Sequence, residues 1–432
     1  MMKVSPFRGI RYNQGIVGDL ARVLCPPYDV ITLEQQKLYY EKSNYNAIRL
    51  EFPEYIGDNP DYSGAAIAFY QWLKDGVLKI DSVSSFYLHD HSFEYSGGKR
   101  VRRGVIAHIK LEPWGSGIYP HEETFSKAKS DRLQLMRACR ANFSPLLSLY
   151  HDPEQRIASI LSEASRAKPV IEKTIASSDI GKGQYESGED HTVWAITDPE
   201  IKRELSQFLS SQPLYIADGH HRYETALAYR QERAEEQSLT DEGAFQYVMM
   251  ELVDFSDPGL VILPIHRLVR GITFSALARL EDQLRKFFAL EFVPLKAGSL
   301  DWSNLSDDSC LGILGLLPNT LVVLKLRQDI SLETVMPSNR CWVYHKFGIS
   351  IFNHIILDKI LNITLNKKIA YTVDVKEAYQ QVEEGKYQLA ALVKPPQPEM
   401  VKAIADIQDR MPSKSTYFYP KLPAGLIINS LD

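Results

Sequence analysis

Five consecutive residues, Asp218-Gly219-His220-His221-Arg222, place a carboxyl, two imidazoles and a guanidinium on either side of a glycine. These side chains can hold an anion, move a proton and neutralise developing negative charge. The run Leu214-Tyr215-Ile216-Ala217 before them is apolar, and Tyr223, Ala226, Leu227 and Arg230 after them fall at helical spacing. The expected arrangement is therefore a strand, a tight turn at Gly219 and a helix, with Asp218 as its N-cap. A helix N-terminus presents backbone N–H groups and the positive end of its dipole, which suits phosphate or carboxylate. Adjacent residues do not share a helix face, so His220 and His221 are expected to do different work. A metal held by this motif is not expected, because helical ligand pairs need a spacing of three or four.

A second polar cluster, Tyr119-Pro120-His121-Glu122-Glu123-Thr124, is followed by Lys129, Asp131 and Arg132. His121, Glu122 and Lys129 could serve proton transfer and phosphate contact; a solvated charged face is the alternative. Near the end, Lys414, Ser415 and Thr416 lie among aromatics and prolines and could fold back onto an anionic ligand, or simply form a terminal strand. Pro26-Pro27 makes a stiff segment, read either as a loop before a helix or as a wall presenting Tyr28 and Asp29 to a pocket. His89 and His91 share one face of an alternating strand, and with no third ligand nearby in sequence they are expected on the sheet surface.

The elements that must position these groups alternate along the chain. Strands are expected at Asn46 to Glu51, over Phe86 to Tyr95 and its hairpin partner Arg100 to Leu111, at Val193 to Ile196 and at Tyr247 to Leu252. Helices are expected at Tyr62 to Gly76, Asp152 to Lys168 and Ile349 to Leu361. A composition shift near Gly271 suggests two domains, 1–270 and 271–432, with the tail of the second available to return to the first. The fold class expected is α/β with mixed sheets.

The chain has 432 residues, 44% hydrophobic and 24% charged, with a net charge of −5. This is ordinary globular composition. The negative balance does not suit a nucleic-acid partner, and no apolar run is long enough to cross a membrane. Cys25, Cys139, Cys310 and Cys341 are scattered without pairing or zinc spacing, as in a reducing cytoplasm, and Met1 to Gly18 lacks a signal-peptide core. Self-association is left open.

Several motifs together resemble the bacterial and archaeal family catalogued as DUF-1015. They are Pro26-Pro27-Tyr28-Asp29-Val30-Ile31, His121-Glu122-Glu123-Thr124 with Asp131-Arg132-Leu133, Ala217 to Tyr223, Leu263-Pro264-Ile265-His266-Arg267 and Lys414 to Lys421. The segment Asp218 to Arg222 is also similar to the phosphate-site motif of the ParB and sulfiredoxin superfamily, which includes free-serine kinases. That wider resemblance implies a ParB/sulfiredoxin-like core followed by a C-terminal α/β domain. It implies nucleotide phosphates, from ATP or ADP with Mg2+, at Gly219, His221 and Arg222, with Asp218 shaping the turn or assisting metal or proton handling. His220 stands where sulfiredoxin has its reactive cysteine, so sulfinic-acid reduction is not expected.

The resulting expectation is a nucleotide-dependent phosphotransferase acting on a small hydroxylated metabolite, serine first among them. Glu122 or Glu123 would be the base, with His121 close by, and Lys414 would supply a further cation. The alternatives are a phosphate-ester hydrolase using His220, and a nucleotide-binding regulatory protein without catalysis.

Overall fold

The computed structural model describes residues 2–57, 59–124, 126–176, 188–236, 243–295, 309–363 and 368–432. The chain divides into two compact units. Unit 1 comprises Met1–Pro120, Thr124–Val261 and Pro420–Asp432, and unit 2 comprises His121–Glu123 and Ile262–Tyr419.

In unit 1 the described residues form a mixed nine-stranded sheet. Its strands are β1 (Val4–Ser5), β2 (Phe86–Tyr95), β3 (Gly98–Lys110), β4 (Ile118–Pro120), β5 (Leu146–Tyr150), β6 (Ile171–Ala176), β7 (Glu189–Ile196), β8 (Leu214–Asp218) and β9 (Tyr247–Asp254). Their order is β6-β7-β2-β3-β9-β5-β8-β4, with β1 added beside β3. Most neighbours are antiparallel, while β5 runs parallel to β9 and β8 parallel to β4. Side chains alternate faces along a strand, so each strand feeds two cores. Phe86, Leu88, Val105 and Ala107 pack on one face, and Tyr87, Ile106, Val193 and Met249 on the other. The helices α1 (Tyr62–Lys74), α2 (Ser126–Cys139) and α3 (His220–Glu236) belong to this unit. In α1, Ala65, Phe69 and Trp72 form the buried stripe that the 3.6-residue period demands.

The final segment of unit 1 is tied in by backbone bonds. Ala424 N donates to Cys25 O at 2.8 Å, Gly425 N to Phe143 O at 2.9 Å, and Ile428 N to Ile10 O at 2.9 Å. Unit 2 is built on an antiparallel sheet of six described strands: β10 (His266–Val269), β11 (Phe288–Pro294), β12 (Leu311–Leu314), β13 (Thr320–Leu326), β14 (Ile369–Thr372) and β15 (Leu389–Leu392). Their order is β11-β13-β12-β15-β10-β14. The mixed α/β architecture matches the class expected from the alternating elements.

Three local expectations change. Ile48–Glu51 is a short helix rather than a strand. Asn46 Oδ1 accepts from Ile48 N at 2.9 Å and so starts a helical turn, which overrides the β-branched and aromatic character around it. Ile349 to Leu361 is not one regular α-helix, because after Ile351 it continues as a π-helix over Phe352–Leu361. His89 and His91 are not on the sheet surface but fully buried, where β7 brings His191 directly opposite His91.

Candidate functional site

Strand β8 is apolar and buried to its last residue, and Asp218 emerges at its end. Gly219 follows at φ +95°, a conformation that favours glycine, and a Cβ there would lie 2.8 Å from Leu146 Cγ. The helix α3 then begins at His220. Asp218 therefore sits one residue before the cap position, and its carboxylate turns to side chains instead of the helix backbone. Arg222 donates to Asp218 Oδ2 at 2.8 Å, one helical turn on. Lys421, in the closing segment of unit 1, pairs with Asp218 Oδ1. Burial works against ionisation of Asp218, but Lys421 and Arg222 more than offset it and hold the carboxyl well below its ordinary range. Asp218 is thus an anion clamped between two cations.

Arg222 is itself held rigidly. Its second amino group donates to Ser144 Oγ at 2.9 Å and to Pro145 O at 3.1 Å. Ser144 Oγ in turn donates to Glu51 Oε1 at 3.3 Å. Glu51 is only 3% exposed. Burial raises its carboxyl above the usual range, against the pull of Arg132 and Arg222. Arg132 donates to the Glu51 carbonyl at 2.7 Å and to Asp131 at 2.7 Å, and its guanidinium lies 3.8 Å from the centre of the Tyr28 ring. Burial, reinforced by Asp29, pushes the Tyr28 phenol up. Asp29 is exposed, and its charge is felt at Arg222. A cavity of about 40 Å³ lies here, lined among others by Glu51, Arg132, Asn142, Ser144 and Arg222. That volume admits water or the edge of an anion, not a nucleoside. His220 is buried, and His221 is half-buried with its carbonyl accepting from Thr225 Oγ1 at 2.8 Å.

The other expected site residues gather in unit 2. Lys414 adopts φ +61°, so the backbone N–H groups of Lys414, Ser415 and Thr416 converge on one point. That point holds the carboxylate of Glu122, at 2.8 Å from Lys414 N, 3.2 Å from Ser415 N and 3.4 Å from Thr416 N. The three tail residues do cradle an anion, and in this structure the anion is Glu122. His121 is buried, with Nε2 2.9 Å from Thr416 Oγ1. Glu123 pairs with Arg340, which also binds Asp409 at 2.8 Å.

The expected residues therefore form two groups, one in each unit. Asp218, Gly219, His220, His221 and Arg222 belong to unit 1 with Tyr28 and Asp29, whereas His121, Glu122, Glu123 and Lys414 to Thr416 belong to unit 2. Two residues of the unit 1 group were not anticipated. Lys421 lies in the lysine- and proline-rich tail already singled out, seven positions beyond the lysine chosen there. Glu51 carries no local motif, and only the tertiary fold sets it beside Arg132 and Ser144.

No curated protein matches the chain in sequence. Among solved structures, a conserved hypothetical protein from Pyrococcus furiosus is 13% identical with a TM-score of 0.34, covering 75% of this chain and 94% of that one. A free serine kinase in complex with AMP is 12% identical at TM-score 0.34, covering 74% and 88%. A C-terminally truncated SbnI from Staphylococcus aureus is 9% identical at 0.32, covering 73% and 84%. Likenesses of this size say nothing of activity. Among the described residues no helix is long and apolar enough to cross a membrane. The model of the family described as "Protein of unknown function (DUF1015)" matches residues 4–351, most of the chain, and the protein belongs to that family.

Proposed function

We propose that the chain is a nucleotide-dependent phosphotransferase acting on the hydroxyl of a small metabolite, with its reacting centre in unit 1 where β8 meets α3. Free serine is the first acceptor to test, on the strength of the ParB/sulfiredoxin-like motif at Asp218 to Arg222. The observation that carries the reading is the clamp of Arg222 and Lys421 on Asp218 beside the first turn of a 17-residue helix. It fixes two cations in advance, at the end of a helix whose dipole already favours negative charge.

In this reading the nucleotide phosphates, from ATP or ADP, meet the start of α3, His221, Arg222 and Lys421. Bound Mg2+ would supply further charge neutralisation between phosphate oxygens. Asp218 is too weak a base to take the acceptor proton, and it instead holds the two cations in place. Glu51 takes the base role in preference to Glu122 or Glu123. Its raised affinity for a proton suits it, whereas Glu122 is committed to three backbone donors and Glu123 to Arg340. The acceptor oxygen attacks the terminal phosphorus, the bond from that phosphorus to the nucleotide breaks, and the hydroxyl proton passes to Glu51 through water in the small cavity that Glu51 lines. Lys414, Ser415 and Thr416 would contact a ligand only on release of Glu122.

The test is transfer of radiolabel from the terminal phosphate of ATP or ADP onto a panel of small hydroxylated amino acids. Labelled acceptor is expected. Release of free phosphate from a phosphate ester with no nucleotide present would indicate a hydrolase; tight nucleotide binding with no turnover would indicate a sensor.

A further inference from the structure

On the unit 1 sheet, away from the β8–α3 turn in sequence, three histidines share one buried face. Adjacent strands put His191 opposite His91, and His91 opposite Arg102. The three imidazoles and Arg102 are all without solvent exposure. The rings of His91 and His191 are 4.3 Å apart at their centres, those of His89 and His191 5.2 Å. One nitrogen from each ring can be chosen so that all three lie within 4.8 Å of one another. It is the single group of three such donors among the described residues.

The hydrogen bonds around the rings have a direction. Glu251 Oε2 lies 2.8 Å from His89 Nδ1, so the carboxylate keeps a proton on that nitrogen. His89 Nε2 is then an acceptor, and it lies 3.0 Å from His191 Nδ1, which must donate. That leaves His191 Nε2 as a bare lone pair, and this atom is buried with no hydrogen-bond partner among the described residues. Glu251 Oε1 is in the same condition. It sits over Gly104, where a Cβ would come within 2.6 Å of it. Two buried polar atoms without partners mark this cluster as one that the described residues leave unsatisfied.

On the far side, His91 Nε2 lies 2.8 Å from Glu189 Oε2, and Arg102 donates to His91 Nδ1 at 3.2 Å and to the Pro420 carbonyl at 2.9 Å. Carboxylates behind two of three histidines are the arrangement that orients imidazoles toward a metal.

We propose that His89, His91 and His191 form a binding site for a divalent transition-metal ion of the class that takes imidazole, such as Zn2+ or Co2+. The ion replaces the His89–His191 and Arg102–His91 contacts. Glu251 and Glu189 stay behind His89 and His91 as orienting carboxylates. Arg102 gives up its longer contact and keeps its bond to Pro420. Complete burial makes this a closed site, one that joins β2 to β7 rather than one that presents the ion to substrate.

The experiment is titration of the purified full-length protein with Co2+, read by visible absorption and checked by metal analysis of protein grown in metal-replete medium. Saturation at one ion per chain is expected. His191→Gln should abolish it, and Glu251→Gln should weaken it about ten- to a hundredfold. Arg102→Met should tighten it, because a competing cation is removed, and this variant decides the matter if His191→Gln does not fold. Absence of binding by the wild-type protein, or binding that survives both His191→Gln and Glu251→Gln unchanged, overturns the proposal.

Discussion

Lys421 and Asp218 form an ion pair across 203 positions of sequence, and this pair ties the closing segment of unit 1 to the turn before α3. The neighbouring Pro420 accepts from Arg102 through its carbonyl, so adjacent residues of one segment engage two separate buried polar clusters. A side chain held this way is in position before any ligand arrives.

Lys421→Met is therefore expected to reduce nucleotide affinity by roughly ten- to a hundredfold, the cost of losing one charge-assisted contact to phosphate. Folding should survive, because Arg222 still neutralises Asp218 and the backbone bonds at Ala424, Gly425 and Ile428 remain. Calorimetric titration alongside circular dichroism checks both halves. Affinity equal to wild type would separate Lys421 from the ligand.

Glu51→Gln should behave differently. The amide keeps the shape and can still accept from Ser144, but it cannot take a proton. Phosphate transfer should fall by about a hundredfold or more while nucleotide affinity changes little. Because burial raises the Glu51 carboxyl, the wild-type rate should climb with pH through a limb lying above the ordinary carboxylate range, and that limb should vanish in the variant. A steady-state pH profile of both proteins is the measurement.

Glu122→Ala removes the anion around which Lys414, Ser415 and Thr416 fold. Three converging donors would be left without their acceptor, so a destabilisation on the order of 1–3 kcal/mol is expected by denaturant unfolding. If the carboxylate is a structural anchor, transfer activity per folded molecule should persist. A large loss of kcat with unchanged stability would restore Glu122 to the chemistry.

His108 supplies a pH test independent of the site. It stacks on Phe7 with ring centres 4.3 Å apart and lies beside Asn429, and burial lowers its pKa to about 4. The folded value lies below the unfolded one of about 6.5, so the native state binds the proton less readily. His108 thus costs no stability above about pH 6.5, and stability is lost as pH falls from there toward about 4. At pH 5 the loss from this residue is about 2 kcal/mol. Thermal unfolding between pH 7 and pH 5 should show a drop that His108→Gln lessens by about that amount, with the buried His91, His191 and His266 contributing the rest.

Much of this was legible where chemistry and local pattern coincide. The β8–turn–α3 junction follows from an apolar run, a glycine and a helical period, and its clustered charges could be read from adjacent residues. What could not be read depends on pairing between distant strands. His191 meets His91 only because β7 lies beside β2, and Glu51 becomes a buried carboxyl only because Asn46 turns an apparent strand into a helix. The tail was recognisable as unusual, yet which of its lysines reaches Asp218 is fixed by the path of the backbone. Lys414 turns into the left-handed region around Glu122, and Lys421 alone continues in unit 1.

The central claim is that the start of α3 binds nucleotide phosphate through Arg222. Titration of wild type and Arg222→Met with ATP and ADP in the presence of Mg2+ tests it most directly. The account predicts saturable binding by the wild type and a loss of at least about a hundredfold in the variant, with both proteins folded. Equal binding by both, or none by the wild type, would contradict it.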